Sequence, residues 1–473
     1  MHPHPPSRAR AMLVVLAVFA LALTASVDAS SYDKRAMRET EHKDSPTTVA
    51  RARFLAYTWG IGGDRVGRPS NDAPTPPGAV ELESSAGDVL AIAASGHTAV
   101  ATSSGRLYTA GRNDSSGGGG HGSAAIDDSG QLGRQGALGA LGRVEGALEK
   151  ESVVSVACGR YHTTCATASG RVYSFGLNDV GQLGTSGVMG KAPDAKKRCD
   201  SGGNCDGLER DAKALAGEGE SCFGGAACRS GTPSLVTFPE GTGRIKSVAA
   251  GRYTSAAVTT DGRVFVWGLN ACGGAKGGRQ SLLDDARAAS TPRPIDGVRE
   301  VEFLDIGYTS MIFLTKTGEV FTCDTGFDGY ARVAEKSDES ITPHPTFAND
   351  HAIDVAAGRC HFAIATKSGA LFTWGCKALG REGSTEKPAR VVGDLSSRRV
   401  VSVAAGEYFT LVTTMDGEIY GAGSNGNGQL GTAPESTTEY ATFERVSLGT
   451  QAGDALAVAA GYQHSIAIVA AST

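Results

Sequence analysis

One pattern returns along this chain and leaves few folds open to it. A short apolar run ends in Val-Ala-x-Gly. Two residues later a second run begins, and it ends in Thr-x-x-Gly. A third run ends in aromatic-Gly, and Asn-x-x-Gly-Gln-Leu-Gly follows. The clearest copy runs from Val156-Ala157-Cys158-Gly159 through Thr167-Ala168-Ser169-Gly170 and Phe175-Gly176 to Gly181-Gln182-Leu183-Gly184. The Thr-x-x-Gly glycine recurs at Gly105, Gly170, Gly262, Gly318, Gly369 and Gly417. The last two intervals are 51 and 48 residues, and the longer earlier ones contain insertions. A period of that size, built from short runs rich in Val, Ala, Ile, Tyr and Phe, means propeller blades or a solenoid. The tight Ser-Gly and Asp-Gly steps between runs are hairpin signals.

Two further observations choose between those folds. All three tryptophans, Trp59, Trp267 and Trp374, stand immediately before the glycine that ends the third run, which predicts packing between neighbouring blades. The chain ends also complement each other. Residues 455–469 supply only the first two strands of a copy, and a third strand appears alone at Ala56-Tyr57-Thr58-Trp59-Gly60. Six complete copies and one split copy predict an all-β, seven-bladed β-propeller over residues 53–470, closed by N- and C-terminal strands sharing one blade. Such closure removes open sheet edges. The 65 glycines fit many turns, since they show no period of three.

These residues resemble the regulator of chromosome condensation repeat family over nearly the whole of residues 53–470. Gly-Gln-Leu-Gly stands at 181–184 and 428–431, and Gln131-Leu132-Gly133 follows Gly130. The chain departs from the pattern at Ala94, which takes a first-strand glycine position. It departs again at Cys323-Asp324, which replaces aromatic-Gly and predicts an irregular outer edge to blade four. A histidine opens the second strand at His97, His162, His361 and His464, and Thr254, Ser310 and Phe409 replace it elsewhere. Recurrence by repeat position predicts a structural, hydrogen-bonded histidine.

The N-terminus reads as a secretory signal over residues 1–29. Arg8 and Arg10 precede the apolar run Met12 to Leu23, and Val27-Asp28-Ala29 forms a cleavage site. Residues 30–52 read as a flexible polar arm. Within it Arg35-Ala36-Met37-Arg38 offers a basic processing site and a loose likeness to the Arg-x-Leu-Arg motif of secreted oomycete effectors, but a four-residue match is weak and an ordinary solvated arm is the better reading. No later stretch is long and apolar enough to span a membrane. Net charge is −5, which argues against non-specific nucleic-acid binding.

Two insertions follow third strands. Residues 115–128 are Gly/Ser-rich, and residues 185–232 hold Cys199, Cys205, Cys222 and Cys228. Disulfides are favoured there over zinc, because the spacing is loose and the segment has no histidine, but connectivity stays open. Cys158 stands where other copies have Ala and reads as a core residue. Asn113-Asp114-Ser115 is a glycosylation sequon.

The candidate partner-binding residues share one repeat position, the turn between first and second strands. They are Arg160, Tyr161, Arg252, Tyr253, Tyr308, Arg359, Tyr408 and Tyr462. Tyr and Arg are enriched at binding hot spots, and both insertions leave from the same face. Padding of the grooves between blades is the plainer alternative. No nucleophile elbow, phosphate-binding loop, paired-carboxylate, metal or cofactor motif stands out, so no enzyme is expected. The expectation is a secreted scaffold recognising a protein through one face. The alternative implied by the resemblance is guanine-nucleotide exchange on a small GTPase, which requires the cytoplasm or nucleus. Ultraviolet sensing, a third family role, requires tryptophans beyond those of the repeat register.

Overall fold

The computed structural model describes residues 53–68, 74–113, 130–178, 181–185, 221–222, 226–227, 229–268, 291–308, 310–324, 341–432, 438–450 and 452–471. Seven four-stranded antiparallel sheets form the blades of a propeller. Their first strands are Val89–Ala94, Val153–Cys158, Ile245–Ala250, Val301–Ile306, Ala352–Ala357, Val400–Ala405 and Ala452–Ala460, in blades 1 to 7. Each first strand touches that of the next blade, and blade 7 touches blade 1, so they line a central channel. In blade 7, Phe54–Gly60 pairs with His464–Ala471 from Phe54 opposite Ala470 to Gly60 opposite His464, and Thr75–Ala79 forms its outer edge. The signal segment, the arm and the 115–128 insertion lie outside the described residues. So does most of 185–232, apart from a two-stranded pair, Ser221–Cys222 with Ala226–Ala227.

Composition explains the layering. The second strands of blades 1 to 6 are buried at every residue, as in His97–Thr102 and Thr254–Thr259. Both faces of each are covered by neighbouring blades. Polar alternation therefore disappears and small Thr, Ser and Ala residues dominate. No single core exists. Instead, seven apolar clusters each join two adjacent blades, such as Trp267 with Val172 and Val248 between blades 2 and 3. Trp59 and Trp267 are fully buried in such clusters, each worth roughly 2–3 kcal/mol of apolar burial.

Backbone irregularities repeat as faithfully as side chains. In blades 1 to 6 the first strand shifts register at its second residue, at Leu90, Val154, Lys246, Glu302, Ile353 and Val401, and the longer first strand of blade 7 shifts at the matching Leu456 and once before Ala455. A bulge at the same point in every blade bends the strand where the ring is tightest. The hairpin glycine is equally regular. Gly170 has φ +82°, a left-handed conformation that suits glycine, and its carbonyl accepts the Ile245 N–H of the next blade at 3.2 Å.

Two sequence expectations need correction. Ala94 pairs with Thr98 as Cys158 pairs with Thr163, so Ala94 is a strand residue and not a substituted turn glycine. Blade 1 has a turn one residue shorter, Ser95-Gly96. Blade 4 is not irregular either. Val320–Asp324 pairs with a two-residue outer strand, Thr342–Pro343, as short as those of blades 1, 3 and 5.

Candidate functional site: the arginine–tyrosine crown

Between the blades, a buried relay fixes the frame on which the site stands. Thr163 Oγ1 donates to the Gln131 carbonyl (2.7 Å), so it accepts from His97 Nε2–H (2.6 Å). The same relay joins His162 to Ser255 and the Gln182 carbonyl, and His361 to Thr410 and the Ala378 carbonyl. His464 reaches Thr98, whose hydroxyl donates to the Arg65 carbonyl. Burial drives the imidazoles of His97, His162 and His464 down to about 3 and that of His361 to about 4, so all four are neutral. The Gly-Gln-Leu-Gly segment is the receiving half of this clamp. Trp267 Nε1–H donates to Gln182 O (2.9 Å), and Trp59 Nε1–H to Gln429 O (2.8 Å). Trp374 stacks on Phe362, with ring centroids 4.9 Å apart. The tryptophans and histidines are therefore structural.

The turns between first and second strands crown one mouth of the channel. The third strands end on the same face: Leu177 N–H donates to Tyr161 O (2.8 Å) and Ser424 N–H to Tyr408 O (2.8 Å). Neighbouring turns are joined through the backbone. Arg160 N–H donates to Gly251 O (3.3 Å), Tyr308 N–H to Gly358 O (3.3 Å), Arg359 N–H to Gly406 O (3.3 Å) and Tyr462 N–H to Ser95 O (2.9 Å). The approach is close enough to demand glycine. A Cβ on Gly307 would collide with the Gly358 carbonyl.

From this ring the arginines and tyrosines interleave. Arg160 lies 5.1 Å from the Tyr161 ring and 4.9 Å from that of Tyr462, and it donates to the Tyr308 hydroxyl (2.9 Å). Arg252 lies over Tyr253 (4.9 Å) and Tyr308 (4.4 Å). Arg359 lies over Tyr308 (4.7 Å) and Tyr408 (5.1 Å) and is ion-paired with Glu407. Lys377 also lies over the Tyr408 ring, at 5.6 Å. Three arginines thus converge on Tyr308. Burial, ahead of the charges around it, pushes the Tyr462 phenol up. Such contacts are worth about 0.5–2 kcal/mol each, depending on desolvation. The crown closes one end of a cavity of about 440 Å³ walled by the first strands.

The structure thus brings together all eight residues singled out by repeat position, but not in one role. Tyr161 and Tyr253 are only 3% and 7% exposed and pack with Leu177. They anchor the turns and offer no contact surface. Arg160, Arg252, Tyr308, Arg359, Tyr408 and Tyr462 remain half-buried at the mouth. Lys377 belongs with them but was missed, because it sits after a third strand. Asn113 Oδ1 accepts the Leu132 N–H (3.2 Å), as Asn178 does for Leu183 and Asn425 for Leu430, so the repeat alone accounts for this asparagine. Cys158 and Cys165 are buried free thiols, while Cys360 and Cys376 form a disulfide and Cys323 is also disulfide-bonded. Cys199, Cys205 and Cys228 lie outside the described residues, as does the side chain of Cys222. Among the described residues there is no group of His, Cys, Asp and Glu arranged to hold a metal, and no helix long and apolar enough to cross a membrane.

Residues 153–182, 245–273, 400–429 and 416–468 match the family described as Regulator of chromosome condensation (RCC1) repeat. These stretches are repeats of that family, set in the seven-bladed propeller described above. It is 26% identical over 350 residues to the guanine nucleotide exchange factor SRM1 of Saccharomyces cerevisiae, covering 68% of each chain. It is 28% identical over 294 residues to the ultraviolet-B receptor UVR8 of Arabidopsis thaliana, covering 60% of this chain and 56% of the receptor. The chain therefore spans little more than half the length of that plant relative. In fold it is similar to human WBSCR16, with a TM-score of 0.66 at 17% identity over 89% of this chain and all of that one. It is also similar to Prp20p of Saccharomyces cerevisiae, with a TM-score of 0.65 at 19% identity over 89% and 92% of the two chains.

Proposed function

We propose that this regulator of chromosome condensation repeat protein is a protein-binding propeller that works through its crown face, in the secretory pathway or outside the cell, and performs no chemistry of its own. The observation that carries the reading is the gathering of Arg160, Arg252, Arg359 and Lys377 on tyrosines at one channel mouth. Stacking holds these cations in fixed positions, which reduces the entropy a partner must overcome on binding. Their excess over Glu407 favours an acidic partner surface. The insertions at 115–128 and 185–232 depart from the same ends of the third strands and would frame the crown. The contact residues are then Arg160, Arg252, Tyr308, Arg359, Tyr408 and Tyr462. Secretion is supported by the apolar run Met12 to Leu23, and by a disulfide at a half-exposed position. In this setting Cys199, Cys205, Cys222 and Cys228 are bridged.

A second reading, guanine-nucleotide exchange on a small GTPase, is favoured by the similarity to SRM1. It requires the cytoplasm or nucleus. One experiment separates the two. The full chain is expressed in a eukaryotic secretory host, and its N-terminus and bridges are mapped in the medium. Material beginning at Ser30 with Cys199, Cys205, Cys222 and Cys228 paired supports the secreted binder. Retention in the cytosol with residues 1–29 intact and free thiols overturns it, and nucleotide release from small GTPases becomes the assay.

A further inference from the structure

The blades are built on one plan, so a position where one blade uses a different bond is informative. In blades 2, 5, 6 and 7 the last residue of the crown turn accepts, through its carbonyl, the N–H of the residue that follows the glycine near the end of the third strand. In blade 2 they are Tyr161 and Leu177, in one apolar cluster, with Leu177 N–H donating to Tyr161 O at 2.8 Å. In blade 6 they are Tyr408 and Ser424, joined in the same way at 2.8 Å. In blade 5 they are Cys360 and Cys376. The backbone bond is kept, Cys376 N–H to Cys360 O at 2.9 Å, but a disulfide stands where blade 2 has tyrosine on leucine, with Cα atoms 5.5 Å apart. Both cysteines are half-exposed at the crown, whereas the free thiols Cys158 and Cys165 are 5% and 0% exposed.

The two neighbours of this bond are crown cations. Arg359 precedes Cys360 and bridges Tyr308, Tyr408 and Glu407. Lys377 follows Cys376 and also lies over the Tyr408 ring. We propose that the Cys360–Cys376 disulfide takes the place of the missing aromatic anchor in blade 5 and makes the crown redox-sensitive. The oxidised form holds Arg359 and Lys377 on Tyr408, and the reduced form releases them. A dithiol reductant would supply the two electrons and two protons. Its thiolate attacks one sulfur, the Cys360–Cys376 bond breaks, the second thiol resolves the mixed disulfide, and two cysteine thiols and a cyclic disulfide result. Reductant can reach this bond from solvent. The proposal adds regulation to the crown face described above and rests on that reading for its biological purpose, but its test needs no partner.

The test is hydrogen exchange on the full chain, with and without dithiothreitol, alongside thiol labelling by mass spectrometry. Reduction is expected to expose Cys360 and Cys376 to alkylation while Cys158 and Cys165 stay protected. It is also expected to speed exchange at least tenfold at the Arg359 and Cys376 amides, and not at those of Arg160 or Leu177. The double variant Cys360→Tyr/Cys376→Leu installs the blade 2 pair. It should keep the protection of the oxidised protein and lose the response to reductant. Unchanged exchange on reduction, equal acceleration in all blades, or isolation of the two cysteines unpaired from the secretory host would each overturn the proposal. Absence of a partner for the crown would leave these outcomes untouched, so failure of the functional reading is distinguishable.

Discussion

The relay between blades and the crown at the channel mouth use the same repeat but tolerate different amounts of change. In the relay, four histidines reach a Thr or Ser hydroxyl of the next blade, and that hydroxyl reaches a backbone carbonyl. In the crown only blades 2 and 3 share a turn pair, Arg-Tyr: the other turns carry Tyr, Arg-Cys, Glu-Tyr and Tyr-Gln, and blade 1 has only Ser-Gly. The relay is closed on both sides by neighbouring blades, so any unpaired polar atom there costs about 1–3 kcal/mol. The crown borders solvent, where a lost contact is replaced by water. Where a buried histidine is used, burial fixes the kind of partner it meets, and the half-exposed face is where individual residues are free to differ and so to select a partner.

The sharpest way to break the comparison is acid. An unfolded histidine titrates near 6.5, but the four relay histidines take up no proton until about pH 3 or 4. Between those values the unfolded chain binds more protons, so stability is full above pH 6.5 and falls as pH drops. The slope is about 1.4 kcal/mol per pH unit for each histidine. Asp354, raised by burial to about 7, acts in the opposite sense over the same window, and burial raises Asp305 as well. Four histidines outweigh two half-buried carboxylates. Urea midpoints measured from pH 7 to 4.5 should fall steadily, and a flat profile would refute the neutral relay.

Next in size, Gly307→Ala forces a Cβ into the Gly358 carbonyl and should cost about 3 kcal/mol or more in urea unfolding. His162→Ala should cost about the same, since it opens a cavity and strips Ser255 of a donor. Arg359→Ala tests the other side of the comparison. It should lower stability by about 1–3 kcal/mol, from two ring contacts and the Glu407 pair, and weaken a crown partner about tenfold or more, measured by titration calorimetry once that partner is in hand. At the small end, removal of the exposed Arg263–Asp261 pair, 2.9 Å apart, should leave the melting temperature unchanged within error.

Much of this was legible in the chain itself. The spacing of Thr-x-x-Gly announced the hairpins, and the lone third strand before Gly60 announced that the ends share a sheet. The tryptophan register foretold burial between blades. Other features were not legible for definite reasons. Ala94 was misplaced because a turn shortened by one residue shifts every later residue against the pattern. Cys323-Asp324 looked like a broken edge, but outer strands are held by only two residues in several blades, so the aromatic-Gly motif is not what pairs them. Tyr161 and Tyr253 share a turn position with Tyr408, yet only neighbouring leucine and tyrosine side chains decide that the first two are buried. The Cys360–Cys376 bond was hidden because the cysteines lie 16 residues apart across a complete second and third strand. Aligning blade 5 on blade 2 would have placed them opposite each other.

The sequence by itself determined the repeating hairpins, the number of blades and the structural role of the recurring histidines, because those depend on one pattern repeated from blade to blade. The tertiary structure decided which turn residues face solvent, how three arginines converge on Tyr308, and which cysteines meet. Those depend on closing the ring, which brings side chains from six different blades to a single mouth at distances that no local spacing encodes.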